Sequence, residues 1–163
     1  MTRNITFFAD GMLGSLARKL RIWGFNVLYD TTTDDRLLLD LVRKERRVLL
    51  TSDRELFGMA NKREINSILV QENTDEDRLV VIFTELQVEE VRLDHMKSRC
   101  PKCNGYLVAA NRQNLPKKVP HGILDCHQVF YSCSSCDKVY WLGSHWNRIL
   151  EQAKRIEERL KRD

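Results

Sequence analysis

Apolar positions along the first part of the chain change rhythm repeatedly between the period of a strand and that of a helix. The run ITFFA at 5–9 is short, apolar and closed by Asp10-Gly11, which predicts a buried strand. Leu13, Leu16, Ala17, Leu20 and Trp23 then recur at helical spacing, and Gly24 supplies the stop. A second strand is expected around Val27–Tyr29. A threonine-rich turn follows, and a helix carrying Leu37, Leu38, Leu41 and Val42 opens at Asp34-Asp35, with Thr33 or Asp34 as its cap.

The same alternation continues. RVLLT at 47–51 predicts a third strand, Leu56, Phe57 and Met59 a short helix, and 65–71 a fourth strand. Thr74-Asp75-Glu76-Asp77 opens another helix, with acids in the first turn where the helix dipole favours them. Strands alternating with helices predict an α/β fold: three layers, α/β/α, around a mostly parallel sheet.

The pattern breaks at Ser98-Arg99-Cys100, after which the chain is rich in Cys, Pro, Asn and Lys until about Gly143. From Ser144 onward Trp146, Ile149, Leu150, Ala153, Ile156 and Leu160 return to helical spacing among many basic residues, as in a basic amphipathic helix. Three units are therefore expected: an α/β domain over 1–95, a small cysteine-rich ribbon over 96–143 and a terminal helix over 144–163.

Composition adds little to this outline. With 42% hydrophobic and 31% charged residues among 163, the chain is neither disordered nor membrane-embedded in character. An aspartate interrupts the first apolar run, so it reads as a strand rather than a signal peptide, and a cytoplasmic location is the expectation. A net charge of +4 permits an anionic partner without requiring one.

The cysteines carry more. Cys100-Pro-Lys-Cys103 and Cys133-Ser-Ser-Cys136 are two C-x-x-C pairs with 29 residues between them, longer than the usual ribbon spacing of about 15–20. Two residues between cysteines let both sulfurs reach one ion, and two such knuckles complete the tetrahedral S₄ set of structural zinc, with iron as the other metal that sulfur admits. A closed shell of four thiolates leaves no position for substrate. Gly105 suits the turn closing the first knuckle, and Cys126 stands outside both pairs, as a buried residue or free thiol.

Asp10, Asp35 and Asp53 each fall where a strand has ended or a helix begins, the edge at which open parallel sheets bind ligands. Aspartate is also an ordinary helix cap, so only their joint placement suggests a hard divalent cation, magnesium or manganese. Of the neighbours Asp34 and Asp35, the first is read as the cap and the second as the ligand. Glu45, Glu72, Asp75 and Asp77 are weaker carboxylate candidates. Gly11, Gly14, Arg18 and Arg21 share a helical face onto which phosphates could dock, although an ordinary solvated face has the same pattern.

FFADGMLGSLARKLRIWGF at 7–25, the aspartate pair at 34–35, VLLTSDREL at 48–56, SRCPKCNG at 98–105 and CSSCDKVYWLGSHW at 133–146 together resemble the family of Mut-seven C-terminal RNase domains. In that family a PIN-like nuclease domain precedes a zinc ribbon. The resemblance implies a PIN-like fold and metal-dependent cleavage of RNA, with single-stranded RNA as the expected partner. Asp10, Asp35 and Asp53 match acids of the PIN pattern, and Thr51 would hydrogen-bond near them. One departure is visible: PIN nucleases usually carry another acid on a helix before the one Asp35 opens, and that connection is short here.

Two functions follow from these residues. One is a metal-dependent ribonuclease using Asp10, Asp35 and Asp53; the other, prompted by the missing acid and the closed zinc site, is a non-catalytic RNA-binding or protein-adaptor module. In either, the ribbon, Lys117-Lys118 or the terminal helix is expected to dock RNA or a protein partner. Phosphoryl transfer onto aspartate, as in receiver domains, wants paired acids after the first strand, where Asp10 stands alone.

Overall fold

The computed structural model describes residues 5–88, 93–115 and 119–162. Strands β1 (Thr6–Ala9), β2 (Asn26–Tyr29), β3 (Val48–Thr51) and β4 (Ser67–Leu69) form a parallel sheet in the order β2-β1-β3-β4. Helices α1 (Gly14–Ile22), α2 (Asp35–Lys44), α3 (Arg54–Lys62) and α4 (Asp75–Glu85) follow the four strands in turn. The expected α/β fold is present, with β4 shorter than the 65–71 reading.

Alternation along each strand divides the core in two. Phe7 and Ala9 pack with Leu16 and Leu20 of α1 and with Leu79 and Phe83 of α4. Phe8 and Leu49, pointing the other way, pack with Leu38, Leu39 and Val42 of α2 and Leu56 and Ala60 of α3. Each fully buried Leu or Phe contributes about 1.5–3 kcal/mol of transfer free energy, which makes the two faces the main source of stability.

Beyond the sheet, β5 (Leu107–Ala109), β6 (Phe130–Cys133) and β7 (Val139–Trp141) form an antiparallel sheet in the order β5-β6-β7. The long spacer between the cysteine pairs holds its own small core, in which Leu115, Val119 and Leu124 of the short helix α5 (His121–Cys126) meet Phe130. Lys117-Lys118, expected as a basic surface, lie outside the described residues. No helix among the described residues is long and apolar enough to cross a membrane.

The terminal helix α6 (Ser144–Leu160) turns Ile149, Ala153 and Ile156 inward, and Ile156 joins the α1–α4 side of the main core. Arg155 pairs with Glu76 at 2.9 Å and Arg159 with Asp77 at 2.8 Å, so the acidic first turn of α4 holds the basic helix. The apolar face of the helix expected to dock RNA or a protein partner is thus occupied within the chain, and two of its cations are paired there.

Arg21 corrects another expectation. It is 6% exposed, and its guanidinium donates to the Val27 carbonyl at 3.0 and 2.8 Å and to the carbonyls of Pro101 at 2.9 Å and Lys102 at 3.3 Å. Burial lowers its pKa, opposed by the nearby Cys100 and Cys103 thiols. Its donors are spent on the joint between β2 and the first cysteine knuckle, so it is an internal clamp and not a phosphate ligand. From the other side, the Val27 N–H donates to the Asn104 side chain at 3.1 Å. The outer edge of β2 is thereby capped by the knuckle, which removes a free sheet edge.

Asp75 ties α4 to α1. It accepts from the Ser15 hydroxyl at 2.6 Å, from Lys19 at 3.2 Å and from Arg78 at 3.2 Å. Burial opposes its ionisation, but these donors outweigh burial and hold its pKa below the usual value. A depressed carboxylate pKa gives stability that is complete above the unfolded value of about 4 and lost as pH falls through the lower folded one. Asp75→Asn should therefore cost about 1–2 kcal/mol near neutrality, and the gap from wild type in urea unfolding should narrow as the pH falls below about 4. A gap that widens there would contradict this assignment.

Candidate functional site

Because all four strands are parallel, their C-terminal ends share one edge, and each ends near an acid: Asp30 after β2, Asp10 after β1, Asp53 after β3 and Glu72 after β4. Asp10 is 6% exposed. One of its oxygens accepts the Met12 N–H at 2.8 Å and the other accepts the Thr51 hydroxyl. Thr51 in turn accepts the Asp53 N–H at 2.9 Å. This chain of contacts joins the ends of the two central strands.

Asp10 has only neutral donors and no ion pair among the described residues. A carboxylate buried without a cation is electrostatically costly, so this position fits a bound positive ion. Glu72 adds to that fit: its Oε2 is buried with no hydrogen-bond partner, three residues beyond the end of β4 at the same edge. The other weaker candidates are engaged elsewhere, Glu45 with Arg47, Asp75 with Lys19 and Arg78, and Asp77 with Arg159.

The remaining predicted acids have visible local roles. Asp34 caps α2 by accepting the Arg36 N–H at 2.9 Å, which leaves Asp35 in the first turn. Asp53 caps α3, accepting from the Glu55 and Leu56 N–H groups at 2.7 and 3.2 Å. Among the described residues, no trio of carboxylates gathers as closely as the cysteines do, so Asp10, Asp35 and Asp53 share an edge without forming one ligand cluster.

Asp30 was not singled out in the sequence. It accepts from the Thr33 hydroxyl and from the Thr32 backbone and hydroxyl, and these bonds, led by Thr33, hold its pKa down to about 2. It therefore stays ionised beside Asp10's strand. The available signal was its position directly after β2, equivalent to that of Asp10 after β1.

Of the residues expected to meet RNA, Arg18 is exposed and unpaired among the described residues. Gly14 has a packing reason: a Cβ there would lie 2.7 Å from the Tyr29 hydroxyl, which donates to the Gly11 carbonyl at 3.1 Å. Gly11 leaves its nearest approach to the Thr31 backbone, 3.1 Å from where a Cβ would sit.

The second centre is sulfur. Cys100, Cys103, Cys133 and Cys136 place their Sγ atoms within 4.8 Å of one another. The separations of 3.3 Å for Cys103–Cys133 and 3.7 Å for Cys100–Cys136 lie just below the roughly 3.8 Å between sulfurs of a tetrahedral zinc site. The four can hold a metal such as zinc, as their spacing predicts. Gly105 contributes room more than a turn: a Cβ would lie 2.8 Å from the Cys133 sulfur, while Asn104 takes the positive φ of 68°.

Burial works against ionisation of Cys100, but the Tyr140 hydroxyl at 3.1 Å and the donors of its knuckle outweigh it and bring the thiol to about 7. Cys103 is pushed up to about 12 by desolvation and by the neighbouring thiols. Such crowding is relieved when one cation takes all four as thiolates. Cys126 is exposed and outside the cluster.

Residues 5–153 match the family model described as Mut7-C RNAse domain. No curated protein and no solved structure matches the chain.

Proposed function

Because the chain belongs to the Mut7-C RNase domain family, we propose that it hydrolyses RNA phosphodiester bonds at the edge carrying Asp10. The observation that carries this reading is a carboxylate, Asp10, buried without a counter-ion and held in place by Thr51 and the Met12 N–H. Asp10, Asp53, Asp35 and Glu72 would hold magnesium or manganese, both of which prefer oxygen ligands. A divalent ion bound there supplies Lewis-acid activation of water and neutralises phosphate charge.

The protein's own part is positional. Thr51 donates to Asp10 and accepts the Asp53 N–H, which holds the acid after β1 and the start of α3 in register with each other. Arg18, on the exposed face of α1, is available for a flanking phosphate. The ribbon's metal would be structural, since four sulfurs fill its shell.

A non-catalytic RNA-binding module is the second reading, favoured by the spread of Asp10, Asp35 and Asp53. Cleavage and binding measured on one preparation separate the two. The nuclease reading expects turnover of single-stranded RNA that requires magnesium or manganese. Salt-sensitive binding with no turnover in either metal, across a broad substrate panel, would select the other.

A further inference from the structure

We infer that the groove between α1, the ribbon and the start of α6 is a stacking site for unpaired RNA bases, a proposal that rests on the ribonuclease reading only for its choice of RNA. The groove encloses about 410 Å³, within the range of roughly 300–1,000 Å³ in which pockets bury small ring-bearing ligands. Its apolar walls include Leu107, Tyr140, Trp141 and Trp146. His95 braces them, meeting the rings of Tyr131 and Trp146 edge-on at 5.8 and 6.0 Å.

The charge around those rings identifies the occupant. Arg18, Lys19 and Arg99 line the groove, and among the described residues no Asp or Glu does. Lys19 is paired with Asp75, and Arg99 lies over the Tyr106 ring at 4.3 Å, which leaves Arg18 free. Flat apolar surface beside unpaired positive charge suits a chain that alternates bases with phosphates, and only unpaired bases can turn their faces to aromatic side chains.

Position links the groove to the acidic edge. Ser15, Arg18, Lys19 and Ile22 line it at the i, i+3, i+4, i+7 spacing of one helical face, while Leu16, Ala17 and Leu20 of α1 are in the core. This stripe begins in the first turn of α1, just after Asp10, and descends about 10 Å towards the ribbon. A strand whose phosphate lies at the edge can therefore lay its next bases along the groove.

The test uses the full-length, zinc-loaded protein without added magnesium or manganese, so that binding is read apart from cleavage. Tryptophan emission is followed while an oligouridine of about ten nucleotides, or the same strand in a duplex, is added. Two of the three tryptophans, Trp141 and Trp146, line the groove, and the third, Trp23, is stacked on Phe83. The single strand should quench emission and the duplex should not. Trp146→Ala should weaken binding about tenfold or more, and Arg18→Glu, at an exposed position that cannot unfold the core, several-fold.

Equal quenching by the duplex, or unchanged affinity in both variants, overturns the proposal. So does the absence of RNA quenching when an apolar peptide or self-association produces it instead. Lys44→Glu, an exposed charge change at the end of α2 on the opposite face of the sheet from α1, should bind the single strand like wild type. Binding without any cleavage by the wild type would sink the nuclease reading and keep the groove, and cleavage without quenching would do the reverse.

Discussion

Asp10→Asn is expected to reduce RNA cleavage about a thousandfold while the protein stays folded, because a divalent ion contributes several kcal/mol to stabilising the transition state. The substitution keeps the shape of the side chain and its acceptor for the Met12 N–H, but removes the charge and disturbs the bond from Thr51. Its folding cost should stay below about 2 kcal/mol, because relief of the buried, unpaired charge offsets the lost bond from Thr51. Single-turnover cleavage and thermal melting on the same samples measure both effects. Thr51→Val should lower cleavage about 10–100-fold through loss of positioning, and Thr51→Ser, which retains the hydroxyl, should restore it. Cleavage within a few-fold of wild type in Asp10→Asn would remove Asp10 from the chemistry.

The sheet and its helices were legible in the sequence because their signals are local. Alternation in Phe7-Phe8-Ala9, the cap at Asp34 and the cap at Thr74 each depend on neighbours within one turn or strand. Arg21 was illegible for the opposite reason. It lies one turn from Arg18 on α1, yet its partners at Pro101 and Lys102 lie about eighty positions away, and the rotation between i and i+3 is enough to bury one arginine and expose the other. Short α5 lacks the length to show a period, so the spacer between the cysteine pairs gave no helical signal.

The acidic edge was legible only in part. That Asp10 ends β1 and Asp53 follows β3 could be read from the chain, but that Thr51 links them across two strands depends on the parallel pairing of β1 with β3. Glu72 was one of four comparable carboxylates in the sequence. Only the folded chain distinguishes it, because Lys19, Arg47, Arg78 and Arg159 engage the other three and leave its oxygen buried and unpartnered.

Cys100→Ser is expected to lose the ribbon's metal and, with it, order well beyond the ribbon. Structural zinc contributes about 10 kcal/mol or more to folding of small sulfur sites, far more than the small hydrophobic core around Phe130 can replace. The first knuckle also covers the edge of β2, through Asn104 on the Val27 N–H and through Arg21 between the Val27, Pro101 and Lys102 carbonyls. Loss of the metal should therefore free the Val27 amide to exchange with solvent and leave β2 as an open edge, with aggregation as the visible consequence. Zinc content per chain, hydrogen exchange at Val27 and light scattering report these three steps separately. Acidification should reproduce them without mutation, because protons compete with the metal for the thiolates. Cys126→Ser, at an exposed position outside the cluster, should leave all three unchanged. If the metal-free protein kept Val27 protected, the ribbon would be an appendage whose metal matters only to itself, and the coupling through Arg21 and Asn104 would have to be abandoned.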